Sequence, residues 1–251
     1  MALSLANTGP VALPALALGS VALLIVARLS LSPTPPLLTL ILDLNALLAA
    51  VWYRCRRLGP CSVPPGGPVI VVANHTSTAD PLILCAACRY RTVSFLIARE
   101  YADLGIWGWF VRLVDCVPVD REANDLRATR QALRHLREGK VLGIFLEGRI
   151  PAPGEELPPK QGAALLALRS GAPVVPAGIA GTVYREGIAP GFLARHRARI
   201  RFGPAVDLRD LAGRTDREAV AIATDRIQQA IHGLLAQTPE RASGPGAAGN
   251  P

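Results

Sequence analysis

Beyond Pro68 the chain alternates between short β-branched runs and longer stretches with a helical period, and this alternation limits the folds open to it. Strands are expected at 69–73, 92–97, 116–119, 141–146, 174–179 and 197–202, and helices at 81–88, 125–138, 161–170 and 216–236. In the second of these helices Leu126, Thr129, Leu133 and Leu136 fall on one side. Arg127, Arg130, Arg134 and Arg137 fall on the other, as in a helix with one face on a core. Gly139 and Gly171 stand where helix C-termini favour a left-handed residue. Thr215 with Glu218 reads as a capping box for the last helix. Strands that are apolar throughout need cover on both faces. The expected fold is therefore α/β, with a mainly parallel sheet covered by helices.

Ahead of that domain the composition changes. No charged side chain precedes Arg28, and Asp43 is the only one between Leu29 and Tyr53. Val11 to Ala27 and Pro36 to Tyr53 are two apolar stretches near the lower limit of the about 20 residues that span a bilayer. Ser32-Pro33-Thr34-Pro35-Pro36 breaks them apart, so an apolar N-terminal helical hairpin is expected. A secretory signal would need a basic region before its apolar run, and none is present. Arg54, Arg56 and Arg57 follow at once and, by the positive-inside rule, put the domain on the cytoplasmic face. Asp43 and Asn45 weigh towards a shallow hairpin, because a charge at the bilayer centre costs about 2.5 to 3.5 kcal/mol. The expected organisation is a membrane-associated hairpin with its basic flank at 1–57, one domain at 58–238 and a disordered Gly/Pro-rich tail at 239–251.

A formal net charge of +8 suits an anionic lipid surface, a nucleic acid or an acidic carrier protein. Few aromatics and no nucleic-acid motif argue against nucleic acid, and the apolar N-terminus argues for lipid. Five cysteines, an odd number, speak against a disulfide framework and for a reducing compartment. Cys85-x-x-Cys88 has no second ligand pair in sequence and reads as small buried residues. No metal site is expected.

Three strand ends carry polar residues: His75 and Asp80, then Asp120 and Arg121, then Glu147 and Arg149. In open parallel sheets ligands bind beyond the carboxyl ends of the strands. On a helix a five-residue step turns roughly 140° from the starting face, so His75 and Asp80 meet only if the chain turns between them. Asp80-Pro81 reads as a helix start with Asp80 as its N-cap. A turn through Thr76 to Ala79 then joins imidazole and carboxylate.

Asn74-His75-Thr76-Ser77-Thr78-Ala79-Asp80-Pro81 resembles the H-x-x-x-x-D block of the glycerolipid acyltransferases, the 1-acylglycerol-3-phosphate O-acyltransferase family. Phe95 to Glu100 and Gly108 to Arg112 resemble the segment that follows in that family, and Val119-Asp120-Arg121 its second block. Phe145-Leu146-Glu147-Gly148-Arg149 is similar to F-P-E-G-T-R, and Ala172 to Pro176 to the fourth block. The blocks stand in family order across about residues 69 to 180. Leu146 replaces the usual proline, and the threonine before the arginine is missing, so Arg149 comes one place early. Near Ala98, where the family often has lysine, Arg99 is the cation.

The resemblance implies that His75 is the general base and Asp80 its orienting partner. It implies that Arg99, Arg121, Glu147, Gly148 and Arg149 bind substrate, with arginine suited to phosphate through its planar fork. It also implies a lysophospholipid acceptor, lysophosphatidate first, at a membrane. The donor is acyl-CoA or acyl carrier protein as co-substrate, and no cofactor is needed. Glycerol 3-phosphate or a lyso-amino lipid are alternative acceptors. A non-catalytic lipid-binding protein and a metal-dependent hydrolase are alternatives from other classes. Ser77 lacks the G-x-S-x-G elbow of a hydrolase nucleophile.

Overall fold

The computed structural model describes residues 27–30, 32, 34–103, 105–120 and 125–238. Two compact units divide the chain, Met1–Leu44 and Asn45–Pro251. In chain order the elements are α1 (Pro36–Val51), β1 (Arg56–Arg57), β2 (Val69–Ala73), α2 (Asp80–Ala87), β3 (Val93–Ala98), α3 (Arg99–Ala102) and α4 (Gly105–Leu113). There follow β4 (Val117–Val119), α5 (Leu126–Arg137), β5 (Val141–Phe145), α6 (Gly162–Ser170), β6 (Val174–Ala180), α7 (Ile188–Leu193), β7 (Arg199–Phe202) and α8 (Arg217–Ala236).

The sheet runs β1-β7-β6-β2-β5-β3-β4. All its pairings are parallel except β6 with β7, which is antiparallel. It is thus a mostly parallel, mixed sheet, as the alternating pattern implies. All five residues of β2 are buried, because successive side chains point to opposite faces and both faces are covered. Ile70 and Val72 join Leu142, Ile144 and Val174 in a core closed by α5, α6 and α8. Val69, Val71 and Ala73 face the other way and are equally buried. Each such aliphatic side chain contributes about 1.5 to 3 kcal/mol on burial.

Several expectations need correction. The apolar N-terminal hairpin is not supported. Its first limb, Val11 to Ala27, lies outside the described residues but for Ala27, and its second is the 16-residue helix α1. Among the described residues no helix is long and apolar enough to cross a membrane. The tail at 239–251 also lies outside them. Asp80 is not the N-cap of α2 but its first residue, with Ala79 in the cap position. Thr215 does not cap α8; Asp216 does, accepting from the Ala219 N–H at 3.0 Å, one residue further along. The short elements β1, α3 and α7 have too few residues to show a period, and all were missed from sequence.

Candidate active site

β2 and β5 lie side by side, and Ala73 is paired with Phe145 at their carboxyl ends. Two residues beyond each stand His75 and Glu147, so register alone makes them neighbours. Asn74 fixes the exit of β2: its side chain accepts from the Ile179 N–H and donates to the Ile179 carbonyl, each at 2.8 Å, on neighbouring β6. The chain then turns. Thr76 and Thr182 hydroxyls share a short hydrogen bond that holds this turn to the loop after β6.

Asp80 is fully buried, and its Oδ2 accepts from the Thr76 N–H at 2.7 Å and the Ser77 N–H at 2.8 Å. The same oxygen lies 2.9 Å from His75 Nδ1. An oxygen already receiving two N–H groups is an acceptor, so Nδ1 carries the proton and the lone pair is on Nε2. The carboxylate expected to cap a helix instead closes the turn before it and selects the tautomer of His75. The imidazole also stacks on Phe145, with ring centroids 3.9 Å apart and planes 14° apart. Phe145 stacks in turn on Phe95 at 5.7 Å. This stack needs Gly143: a Cβ there would sit 2.5 Å from the Phe95 ring. His75 is thus held by Asp80 and Phe145 and keeps 14% of its side chain exposed.

Glu147 is half-buried, and burial raises its carboxyl above the ordinary 4.5. The backbone N–H groups of Glu147 itself and of His75 oppose that rise, while its Oε2 is buried with no hydrogen-bond partner. An unfilled acceptor thus sits beside the imidazole. Gly148 turns the chain at a φ of 73°, and its N–H donates to the Phe145 carbonyl at 3.1 Å.

Two of the cations expected here have acidic partners. Arg149 makes a two-pronged pair with Glu155, Nη1 to Oε2 at 2.8 Å and Nη2 to Oε1. That pair and the Ala152 N–H hold the Glu155 carboxyl at about 2. Arg99, just past β3, reaches Asp125 at 3.0 Å. Asp125 also caps α5 through the N–H groups of Arg127 and Ala128. Arg121 lies outside the described residues. The structure therefore brings together His75, Asp80, Glu147 and Gly148, and gives Arg149 and Arg99 acidic partners that sequence reasoning missed. Among the described residues no group of three or more His, Cys, Asp or Glu side chains is placed to hold a metal ion.

Residues 56–180, which carry His75, Asp80, Glu147 and Gly148, match the family model described as acyltransferase. The chain belongs to the glycerolipid acyltransferase family. The 1-acyl-sn-glycerol-3-phosphate acyltransferase of Streptococcus pneumoniae is 26% identical over 170 residues, 67% of this chain and 61% of that protein. The chain thus spans less than two thirds of that relative's length. The Bacillus subtilis protein of the same name is 23% identical over 173 residues, covering 69% of this chain and 84% of its own. A lyso-ornithine lipid O-acyltransferase of Brucella abortus is 31% identical over 122 residues, 47% of this chain and 44% of that protein. In fold, the chain is similar to the crystal structure of the 1-acyl-sn-glycerophosphate (LPA) acyltransferase PlsC from Thermotoga maritima. The TM-score is 0.65 at 19% identity, over 88% of this chain and 89% of that one.

Within the family match, Asn74, Phe145 and Glu155 do structural work that sequence reading did not assign. Asn74 precedes the histidine and so was within reach of the motif. Glu155 was not, because nothing in the run from Ile150 to Pro159 announces a partner for Arg149.

Proposed function

We propose that this chain is a membrane-associated O-acyltransferase. It moves an acyl chain from an acyl thioester to the free hydroxyl of 1-acylglycerol 3-phosphate, giving phosphatidate. The observation that carries this reading is the buried Asp80 holding His75 in one tautomer, beside an unfilled Glu147 oxygen, in a chain of this family. An alcohol is a poor nucleophile near neutral pH. Nε2 of His75 takes its proton as the oxygen attacks the thioester carbonyl. The carbon–sulfur bond then breaks, and the leaving thiolate takes the proton back from the imidazolium. Glu147 Oε2 receives that same hydroxyl as the acceptor docks and sets its approach before the proton turns to Nε2. Arg121 meets the phosphate, and Arg149 joins it if phosphate displaces Glu155.

The engagement of Arg149 by Glu155 favours a second reading, an acceptor without phosphate such as a lyso-amino lipid. The Brucella relative's name points the same way. The deciding experiment offers lysophosphatidate, glycerol 3-phosphate and a lyso-amino lipid, each with acyl-CoA and with acyl carrier protein, and identifies products by mass spectrometry. Phosphatidate formation supports the first reading. Acylation of the amino lipid alone replaces it with the second.

Membrane contact rests on α1, where Leu37, Leu40, Leu44, Leu47 and Val51 are exposed at steps of three and four residues. Such a stripe suits the lipid interface. The exposed Arg54, Arg56 and Arg57 that follow support a position at the cytoplasmic face, where positively charged flanks are in excess. Flotation with anionic vesicles tests this. A Leu44→Asp, Leu47→Asp double variant that floats as well as wild type removes α1 from the account.

A further inference from the structure

Cys61 and Cys88 are 27 positions apart, yet their Sγ atoms stand 3.7 Å from each other. Cys88 closes α2 as its C-cap residue and is fully buried. Cys61, in the loop between β1 and β2, is half-buried and open to a small reagent. Contacts that involve no sulfur hold this loop against the end of α2. Arg57 donates to the Ala87 carbonyl at 3.0 Å, the Tyr90 hydroxyl donates to the Val63 carbonyl, and Arg91 donates to Pro64 at 3.1 Å and Gly67 at 2.8 Å. The meeting of the two thiols is therefore imposed by the fold. In sequence Cys88 pairs with Cys85; in space its thiol meets Cys61.

The two thiols are also unequal. A hydrogen bond from Cys88, helped by the Val63 N–H and by Arg57 nearby, brings Cys61 down from 9.0 to about 6, against the opposing effect of burial. Its bond to Cys61 and its burial push Cys88 the other way. A thiolate is the reactive form towards oxidants, and an accessible thiolate beside a resolving thiol is the arrangement that forms a disulfide readily. A disulfide needs about 2.0 Å between sulfurs, so the 3.7 Å contact has only about 1.7 Å to close.

We propose that Cys61 and Cys88 form a peroxide-sensitive dithiol, with Cys61 the attacking sulfur and Cys88 the resolving one. In the first step the Cys61 sulfur attacks one peroxide oxygen and the O–O bond breaks. Cys61 becomes a sulfenic acid, and the departing hydroxide takes up a proton to leave as water. In the second step the Cys88 sulfur attacks the Cys61 sulfur and the S–O bond breaks. The hydroxide leaves as water with the Cys88 proton. Two thiols lose two electrons and one peroxide gains them, so no further reactant is required. The bridge closes the segment from Cys61 to Cys88, which contains β2, His75, Asp80 and α2. In a reducing compartment the pair rests as thiols.

The test takes the reduced full chain, exposes it to hydrogen peroxide, denatures it in an alkylating reagent and digests it without reductant. The expected product is a peptide pair linking Cys61 to Cys88, with the intact chain lighter by two hydrogen atoms and restored by dithiothreitol. Cys61→Ser abolishes the link, and Cys85→Ser preserves it. Cys88→Ala leaves Cys61 as a sulfenic acid that dimedone traps. Because Cys88 lies in the core, its variant is read only if its circular dichroism matches wild type; the half-buried Cys61 decides the matter without it. The proposal is overturned if Cys61 passes to higher oxygen acids while Cys88 stays alkylatable. It is equally overturned if the link joins Cys85, or if Cys61 survives a peroxide dose that oxidises free cysteine.

Discussion

Two histidines stand beside an aspartate at opposite ends of one sheet, and only one pair has the build of a base. His75 and Asp80 lie past the carboxyl ends of β2 and β5; His135, Asp115 and Lys140 lie where α5 runs out, before β4 and β5 begin. At the first end the aspartate is fully buried, takes two backbone N–H groups and meets Nδ1 at 2.9 Å. At the second, Asp115 is half exposed, meets His135 Nε2 at 3.4 Å and is bound at 2.8 Å by Lys140. The other nitrogen of His135 is buried with no partner. Burial pulls its imidazole below the ordinary 6.5, and Asp115 only partly opposes this. The contrast teaches that residue identity does not make a base. A committed acceptor on one ring nitrogen and an open path to the other do.

The largest expected effect tests that contrast directly. His75→Ala should lower acyl-transfer turnover about 10²- to 10⁴-fold with the fold intact, the usual worth of a positioned base. His135→Ala should leave turnover near wild type while lowering the melting temperature. Equal losses of turnover in the two variants would erase the distinction. Next comes the partner. Asp80→Asn keeps the shape but replaces an acceptor-only group, and turnover should fall on the order of 10²-fold. Asp115→Asn, losing an exposed ion pair, should leave kinetics unchanged. If Asp80→Asn is also silent, backbone alone orients His75.

Cations provide the third comparison. Removing a charged partner of phosphate costs about 1.5 to 3 kcal/mol, roughly ten- to a hundredfold in efficiency. Arg149→Ala should raise the Michaelis constant for a phosphate-bearing acceptor on that scale and leave the donor's constant alone. Lys140→Met, at the far end of the sheet, should change neither. An Arg149→Ala enzyme with normal acceptor kinetics would mean that Glu155 keeps the guanidinium throughout.

The smallest effect is in stability. Because the folded chain holds His135 below 6.5, the unfolded chain binds its proton first as pH falls. Stability is therefore lost as pH drops below about 6.5, towards the lowered folded value. His196 is buried and shifted in the same direction, so it contributes to the same window. Melting temperatures recorded across that window should fall with acidification, and His135→Gln should flatten part of the slope. An unchanged slope would mean that His135 does not contribute and that other shifted groups, His196 and Cys61 among them, set it.

Much of this was legible before any coordinates. β2, β5 and β6 are runs of apolar and small residues bounded by proline or glycine, and short strands of that kind have few alternatives. Their boundaries were read to within a residue. The block Asn74 to Pro81 marked the histidine and aspartate, because a proline ends the loop and starts the helix. What stayed hidden were the partners of long charged side chains. Arg149 lies near many acidic groups in sequence, and its choice of Glu155 depends on how the loop after Gly148 folds back. The caps were off by one residue for a related reason: Thr215 and Asp216 are both good caps, and local chemistry alone does not rank them.

The sequence by itself determined the alternating α/β order, the strands that fill the core and the pairing of His75 with Asp80 across one turn. Those properties follow from apolar periodicity and short-range turns, which act within a few residues. Only the tertiary structure decided that Glu147 stands beside His75, that Phe145 and Phe95 support the imidazole and that Cys61 meets Cys88. Each of these depends on strand register or on a loop crossing the end of a helix. Contacts between residues far apart in sequence are set by how whole elements pack, and no local pattern encodes them.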